Sequence, residues 1–182
     1  MSRFREITAE KYLGTPETLR RRELVYGVVH EPPAPLYLHQ SIVTKLTARL
    51  DHFVRRRRLG RVCVSPIDVV LDVERALILQ PDIIVVSNER LGIIRDQIWG
   101  APDLVVEVAS RGTTRYDRTT KLDWYREYGV RECWIVEPHG PWIEVVGFDV
   151  ERITRRTFES VAIVRSSVLP GLRLRADDAF SE

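Results

Sequence analysis

Three charged residues interrupt runs that are otherwise apolar. Asp82 opens Pro81-Asp82-Ile-Ile-Val-Val, Glu107 stands inside Leu104-Val-Val-Glu-Val-Ala-Ser110, and Lys121 follows downstream. An ionised carboxylate in a strand that reads as core costs several kcal/mol unless a cation or hydrogen bonds compensate. Two such carboxylates on successive predicted strands, with an ammonium arriving from the next helix, make a set able to hold a divalent metal and a phosphate. The chemistry suited to that set is metal-dependent phosphodiester hydrolysis.

Strand parity decides whether the acids can meet. Asp82, Ile84 and Val86 point one way, and Val105, Glu107 and Ala109 share a face of their own strand. Asp82 lies at the start of its strand and Glu107 near the end of the next, so antiparallel pairing makes them converge, with the metal expected between them. Asp103 has the parity of Glu107 but lies four residues away, roughly 13 Å along a strand, and is a poorer partner. On the following helix, Asp117, Lys121 and Tyr125 recur at i, i+4 and i+8 and form one stripe. Where that stripe meets the open end of the sheet, the ammonium approaches the metal. The alternative is an exposed Asp117–Lys121 ion pair worth a few tenths of a kcal/mol. Of 28 basic residues only Lys11, Lys45 and Lys121 are lysine, which fits a need for a compact, movable charge at the third.

The elements that must position these groups are legible from pattern. Thr8 caps a short helix to about Leu13, broken by Thr15-Pro16. Residues 22–31 read as two short strands joined near Gly27, ended by Pro32-Pro33-Ala-Pro35. Ile42, Leu46, Leu50, Phe53 and Val54 give one amphipathic helix from about Leu38 to Arg57, with Gly60 a stop. Val62 to Asp72, Leu77 to Ser87 and Leu104 to Ala109 read as strands. Thr113 or Thr114 caps a helix from about Arg115 to Tyr128 that ends at Gly129. Cys133–Val136 and Trp142–Val146 follow as strands around the turn Pro138–Pro141, then a hairpin over 150–165, a short strand at Leu169–Leu174 and a last turn from Asp177 to Phe180. The pattern predicts a single α/β domain with a mixed β-sheet flanked by helices.

Composition narrows the class. The chain has 182 residues, 44% hydrophobic and 30% charged, as expected for one ordinary globular domain. No apolar run approaches the roughly 18 residues of a membrane span, and Met-Ser-Arg-Phe-Arg-Glu lacks a signal-peptide apolar segment. Cys63 and Cys133 are far apart and without CxxC spacing, which argues against a zinc ribbon and fits a reducing cytoplasm. A net charge of +2 does not by itself predict a nucleic-acid binder. Arginine clusters at Arg20–Arg22, Arg55–Arg58 and Arg155–Arg156 are either phosphate contacts or solvated surface. His39, which opens the long helix, reads as structural or as a ligand contact, His30, His52 and His139 as surface, and Trp134 and Trp142 as core. No Gly-rich phosphate loop, nucleophile elbow or dinucleotide fingerprint is present.

The ordered set Pro81-Asp82, Glu107-Val108-Ala109-Ser110, Asp117, Lys121, Tyr125, Gly129-Val130 and Trp134-Ile135-Val136 resembles the PD-(D/E)xK nucleases. More narrowly, it is similar to the Uma-two group of restriction-endonuclease-like bacterial proteins. Arg22-Glu-Leu-Val-Tyr-Gly27, Pro33-Ala-Pro-Leu-Tyr-Leu-His39-Gln and Leu169-Pro-Gly-Leu-Arg-Leu extend the resemblance over nearly the whole chain. The general pattern has lysine two residues after the second acid, where this chain has Ala109; the narrower group carries it on the next helix, matching Lys121. Arg111-Gly112 stand where the group usually has Pro after Ser110. The resemblance implies a restriction-endonuclease-like fold and an endonuclease acting on DNA. It implies Mg²⁺ or Mn²⁺ held by Asp82, Glu107 and the Val108 carbonyl, Lys121 as the water-orienting cation and Glu23 as an accessory acid. Cleavage of both strands makes a homodimer the default assembly. The competing expectation is a nuclease fold without turnover that binds nucleic acid or a protein partner.

Overall fold

The structure, a computed structural model, describes residues 6–110, 115–149 and 152–181. Helix α1 (Ala9–Leu13) starts at Thr8, whose hydroxyl accepts from the Lys11 N–H. Strands β1 (Glu23–Val25) and β2 (Val28–His30) form the expected hairpin. Its two-residue turn holds Tyr26 and Gly27 at positive φ, 48° and 83°, the backbone twist that tight hairpins favour. Helix α2 (Tyr37–Arg57) matches its apolar periodicity, but its stop is Arg58 at φ 54° rather than Gly60. Gly60 instead opens β3 (Gly60–Val64), where a Cβ would lie 2.0 Å from the Val86 carbonyl oxygen.

The two long strands expected over 62–72 and 77–87 are each broken. The first becomes β3 and β4 (Val69–Asp72), the second β5 (Leu77–Leu79) and β6 (Ile83–Ser87). The breaks fall at Ser65-Pro66 and Gln80-Pro81-Asp82, where proline has no N–H to give a ladder. At each break the chain leaves one sheet for another, so one mixed sheet is in fact two. The remaining strands are β7 (Ile98–Trp99), β8 (Leu104–Val108), β9 (Glu132–Glu137), β10 (Trp142–Phe148) and β11 (Ile153–Glu159). The sheet orders are β2-β1-β5-β4-β7 and β11-β10-β9-β8-β6-β3. Each is mixed, since β4–β7 and β8–β9 are parallel.

Helix α3 (Arg115–Tyr128) crosses from β8 to β9 and ends at Gly129, φ 91°. The expected caps Thr113 and Thr114 lie outside the described residues. Residues 88–103, where the sequence pattern gave no element, hold a 3-10 helix (Asn88–Ile93) and β7. The expected 150–165 hairpin is one strand, β11, paired back onto β10, and Leu169–Leu174 is not a strand. A side chain holds this C-terminal segment in place of a ladder: buried Glu132 accepts from Ser167 N (2.7 Å), Ser167 Oγ (2.8 Å), the Ser166 hydroxyl and Trp134 Nε1 (2.8 Å).

Residue parity sorts the core. Ile83, Val85, Leu104, Val106 and Val108 pack with Ile42, Leu46, Leu50 and Val54 of α2. Ile84 and Val105 face the other way, onto Leu122 and Tyr125 of α3 and Leu77 and Leu79 of the five-stranded sheet. A third cluster seats Ala9 and Tyr12 of α1 on Leu24, Val70 and Ile78. Each fully buried aliphatic side chain contributes about 1.5–3 kcal/mol, so the frame is set by apolar burial on both faces of β6 and β8. Asp82 sits at the pivot between β5 and β6, where the two sheets part.

Candidate active site

Strands β6 and β8 pair antiparallel with Ile83 opposite Val106, which puts Asp82 and Glu107 side by side one step outward. Both share parity with Ile84 and Val105; Glu107 reaches Lys121 and Tyr125 of α3, while Asp82, at the edge just before β6, reaches His39 of α2. Asp82 is 3% exposed. Asp103, the poorer partner, lies at the far end of β8, held by the Ser87 N–H (2.7 Å) and Arg131 (3.3 Å).

One guanidinium bridges the acids. Arg21 Nη1 donates to Asp82 Oδ1 at 2.7 Å and Nη2 to Glu107 Oε2 at 3.2 Å. The remaining oxygens belong to the framework. Asp82 Oδ2 accepts the Val108 N–H at 2.7 Å and lies 3.4 Å from His39 Nε2 on α2. Glu107 Oε1 accepts Lys121 Nζ at 3.2 Å and the Tyr125 hydroxyl. Lys121 also donates to Glu23 Oε1 at 2.7 Å, and that oxygen takes the Gln80 N–H at 3.0 Å. The Gln80 side chain in turn donates to Asp68 and accepts the Arg22 N–H, tying β1 to the pivot.

The Lys121–Tyr125 stripe thus meets the end of the sheet, and Lys121 is not the exposed helix pair of the alternative; the Asp117 side chain lies outside the described ones. Tyr125 is fully buried and acts both as packing and as a donor to Glu107. Glu23 is buried on β1 and fixes the ammonium. Val108 takes part through its main chain.

The charges sustain one another. Burial pushes the Asp82 carboxyl up, but the His39 contact, Arg21 and the Val108 N–H outweigh it and hold it below the ordinary carboxylate range. Burial likewise raises Glu23, and Lys121, Arg21 and the Gln80 N–H bring it below its usual value. Lys121 is pulled down by burial and pushed further up by Glu107 and Glu23, so it stays an ammonium and serves as a fixed charge rather than a base. Burial and then Glu107 raise Tyr125 far above a free phenol, so it remains a donor.

Stability of the metal-free protein follows with a definite sign. Both carboxyls have folded-state values below their unfolded ones, so their contribution is present above about pH 5 and drains away as pH falls through the folded values, below about pH 4. Urea midpoints are expected to drop steeply across that acid range, and less steeply in Asp82→Asn. A midpoint that rises on acidification contradicts this electrostatic picture.

Among the described residues no group of three or more His, Cys, Asp and Glu side chains is disposed as a metal cage. The set on offer is smaller: Asp82 Oδ1 and Glu107 Oε2. These are hard oxygen donors of the type Mg²⁺ and Mn²⁺ prefer, with water filling the rest of the shell. Arg21 stands in as a cation touching both acids at once, so the pair fits a single ion. Four buried side-chain polar atoms lack a partner among the described residues, and two of them, Arg21 Nε and His39 Nδ1, are at this site. An unsatisfied buried donor costs about 1–3 kcal/mol, so the site is not optimised as a salt bridge alone.

Arg21 is the residue that sequence reasoning missed. It belongs to the Arg20–Arg22 cluster that reads as phosphate contacts or solvated surface, but of the three only Arg20 is exposed, and Arg22 stacks on the Tyr12 ring, 5.3 Å from its centroid. The available signal was spacing: Arg21 and Glu23, two apart in an extended run, share a side. Arg55–Arg58 end α2, about 30 Å long, while His39 near its start contacts Asp82, so that cluster is remote from the acids. Trp134 is fully buried and Trp142 packs against the α3-side core, as expected of strand aromatics.

No helix among the described residues is long and apolar enough to cross a membrane. No curated protein matches the chain. A solved structure described as a "putative nuclease belonging to DUF820", from Anabaena variabilis ATCC 29413, superposes with a TM-score of 0.81 over 96% of this chain and 97% of that one, at 21% identity. That likeness shows a shared fold, a mixed α/β architecture with two mixed sheets flanked by helices. The sequence profile of the Uma2 family, described as "Putative restriction endonuclease", matches residues 9–177. With that match spanning almost the whole sequence, the chain belongs to the Uma2 family.

Proposed function

We propose that this protein is a metal-dependent endonuclease that hydrolyses DNA phosphodiester bonds at the Asp82–Glu107 pair. The observation that carries the reading is the division of labour among the carboxylate oxygens. One oxygen of each acid is fixed by the fold, and the other is turned toward a shared cation. Asp82, Glu107 and the Val108 carbonyl would hold Mg²⁺ or Mn²⁺, which would polarise a phosphoryl oxygen and make water more acidic.

The chain's own residues do the rest. Lys121 holds a permanent positive charge beside Glu107, where it orients the attacking water and offsets charge developing on the phosphate. Glu23, the accessory acid, keeps that ammonium in place, and the Gln80 N–H keeps Glu23 in place. Tyr125 prevents Glu107 from turning away. Two-fold pairing of the chain in the cytoplasm would present two such sites to a duplex.

The competing reading, a binding module without turnover, draws on Ala109 and on the closed Arg21 bridge. Supercoiled plasmid incubated with the protein and Mg²⁺ or Mn²⁺ separates the two. Cleavage is expected, and it should vanish in Glu107→Ala. Intact plasmid under every divalent ion, with DNA still retained on the protein, would establish the binding module instead.

A further inference from the structure

Resting on that reading, we infer that Arg21 is a resident counter-cation that competes with the metal for Asp82 Oδ1 and Glu107 Oε2, so that an ion enters only as the guanidinium withdraws. The two oxygens Arg21 holds are the two that the described framework leaves free. Asp82 and Gln80 at the β5–β6 pivot aside, the other described groups at the site are mounted on regular structure: Glu23 on β1, His39 on α2, Glu107 and Val108 on β8, Lys121 and Tyr125 on α3. Arg21 alone comes from the stretch between α1 and β1, residues 14–22, which carries no helix or strand and is exposed throughout 14–20.

The seat is also an incomplete one for arginine. A guanidinium offers five donors in a fixed fork, and here Nε is buried without an acceptor. Charge balance points the same way. Among the described side chains, Asp82, Glu107 and Glu23 face Arg21 and Lys121, leaving one negative charge over. A divalent ion in place of Arg21 makes the set neutral, whereas an ion added beside Arg21 leaves a surplus of positive charge in a buried site. Exchange is therefore favoured over co-occupancy. Arg22, whose N–H is held by Gln80, is the fixed point about which Arg21 turns outward.

Calorimetric titration of Mn²⁺ into wild type, Arg21→Gln and Arg21→Lys tests this. A binding-competent state that is only partly populated weakens apparent affinity by its population. Arg21→Gln is therefore expected to bind Mn²⁺ about tenfold or more tightly than wild type, with Arg21→Lys between them, since an ammonium cannot bridge both acids as a fork does. Thermal melts give a second reading: metal-free Arg21→Gln should melt below wild type, and Mn²⁺ should raise its Tm by more. If Arg21→Gln does not fold without metal, Arg21→Lys carries the comparison. Wild type that binds Mn²⁺ as tightly as Arg21→Gln, or more tightly, overturns the competition while leaving the nuclease reading intact. No binding by any of the three proteins overturns both.

Discussion

Lys121→Ala is expected to slow plasmid cleavage by about 10²–10³-fold, the scale on which loss of one positioned charge-stabilising group is felt. The ammonium is well placed for this role because burial does not neutralise it. Glu107 and Glu23, at 3.2 and 2.7 Å, hold it charged, so its field is present before any phosphate arrives. The Lys121 ammonium has no lone pair to offer a metal, so Mn²⁺ affinity should change far less than the rate. The substitution also leaves Glu23 and Glu107 without their partner, which lowers stability, so melting curves must accompany the assay. Lys121→Arg keeps the charge but needs room for a planar fork between two fixed carboxylates, and should rescue only in part. A cleavage rate within a few-fold of wild type in folded Lys121→Ala would remove this lysine from the mechanism.

Asp82→Ala should weaken Mn²⁺ binding beyond about 100-fold, to the point where calorimetry detects none, because even outer-sphere partners of a metal are worth 10–100-fold. Cleavage should disappear with it. The loss has a structural companion: the Val108 N–H, Arg21 and His39 all face this carboxylate, so alanine strands donors at a position 3% exposed. Asp82→Asn keeps the volume and most of the packing and is the cleaner variant for the titration. Unchanged Mn²⁺ affinity in both variants would place the ion elsewhere and dissolve the proposed site.

The parts of this picture that were legible in the sequence are those fixed by local pattern. The stop of helix α3 could be read because Gly129 marks it, and the parity of Asp82 and Glu107 followed from alternation along strands. The two-sheet arrangement was hidden because 62–72 and 77–87 are each continuously strand-like, and only the missing N–H groups of Pro66 and Pro81 reveal the pivots. Arg21 was hidden for a different reason. Its partners lie 61 and 86 residues away, and nothing in an Arg20–Arg22 run distinguishes the inward member from its neighbours. Glu132, which secures the C-terminal segment, carries no local signal of that role, since its partners Ser166 and Ser167 lie 34 and 35 residues away.

The way Glu107 is tied down bears on which ions the site would accept. With Oε1 committed to Lys121 and Tyr125, the carboxylate can present only Oε2, and Asp82 is restricted in the same fashion. Monodentate presentation suits a small ion that binds at six near-ideal corners and retains much of its own hydration. Calcium, larger and partial to carboxylates gripping through both oxygens in a seven- or eight-fold shell, finds no such grip here.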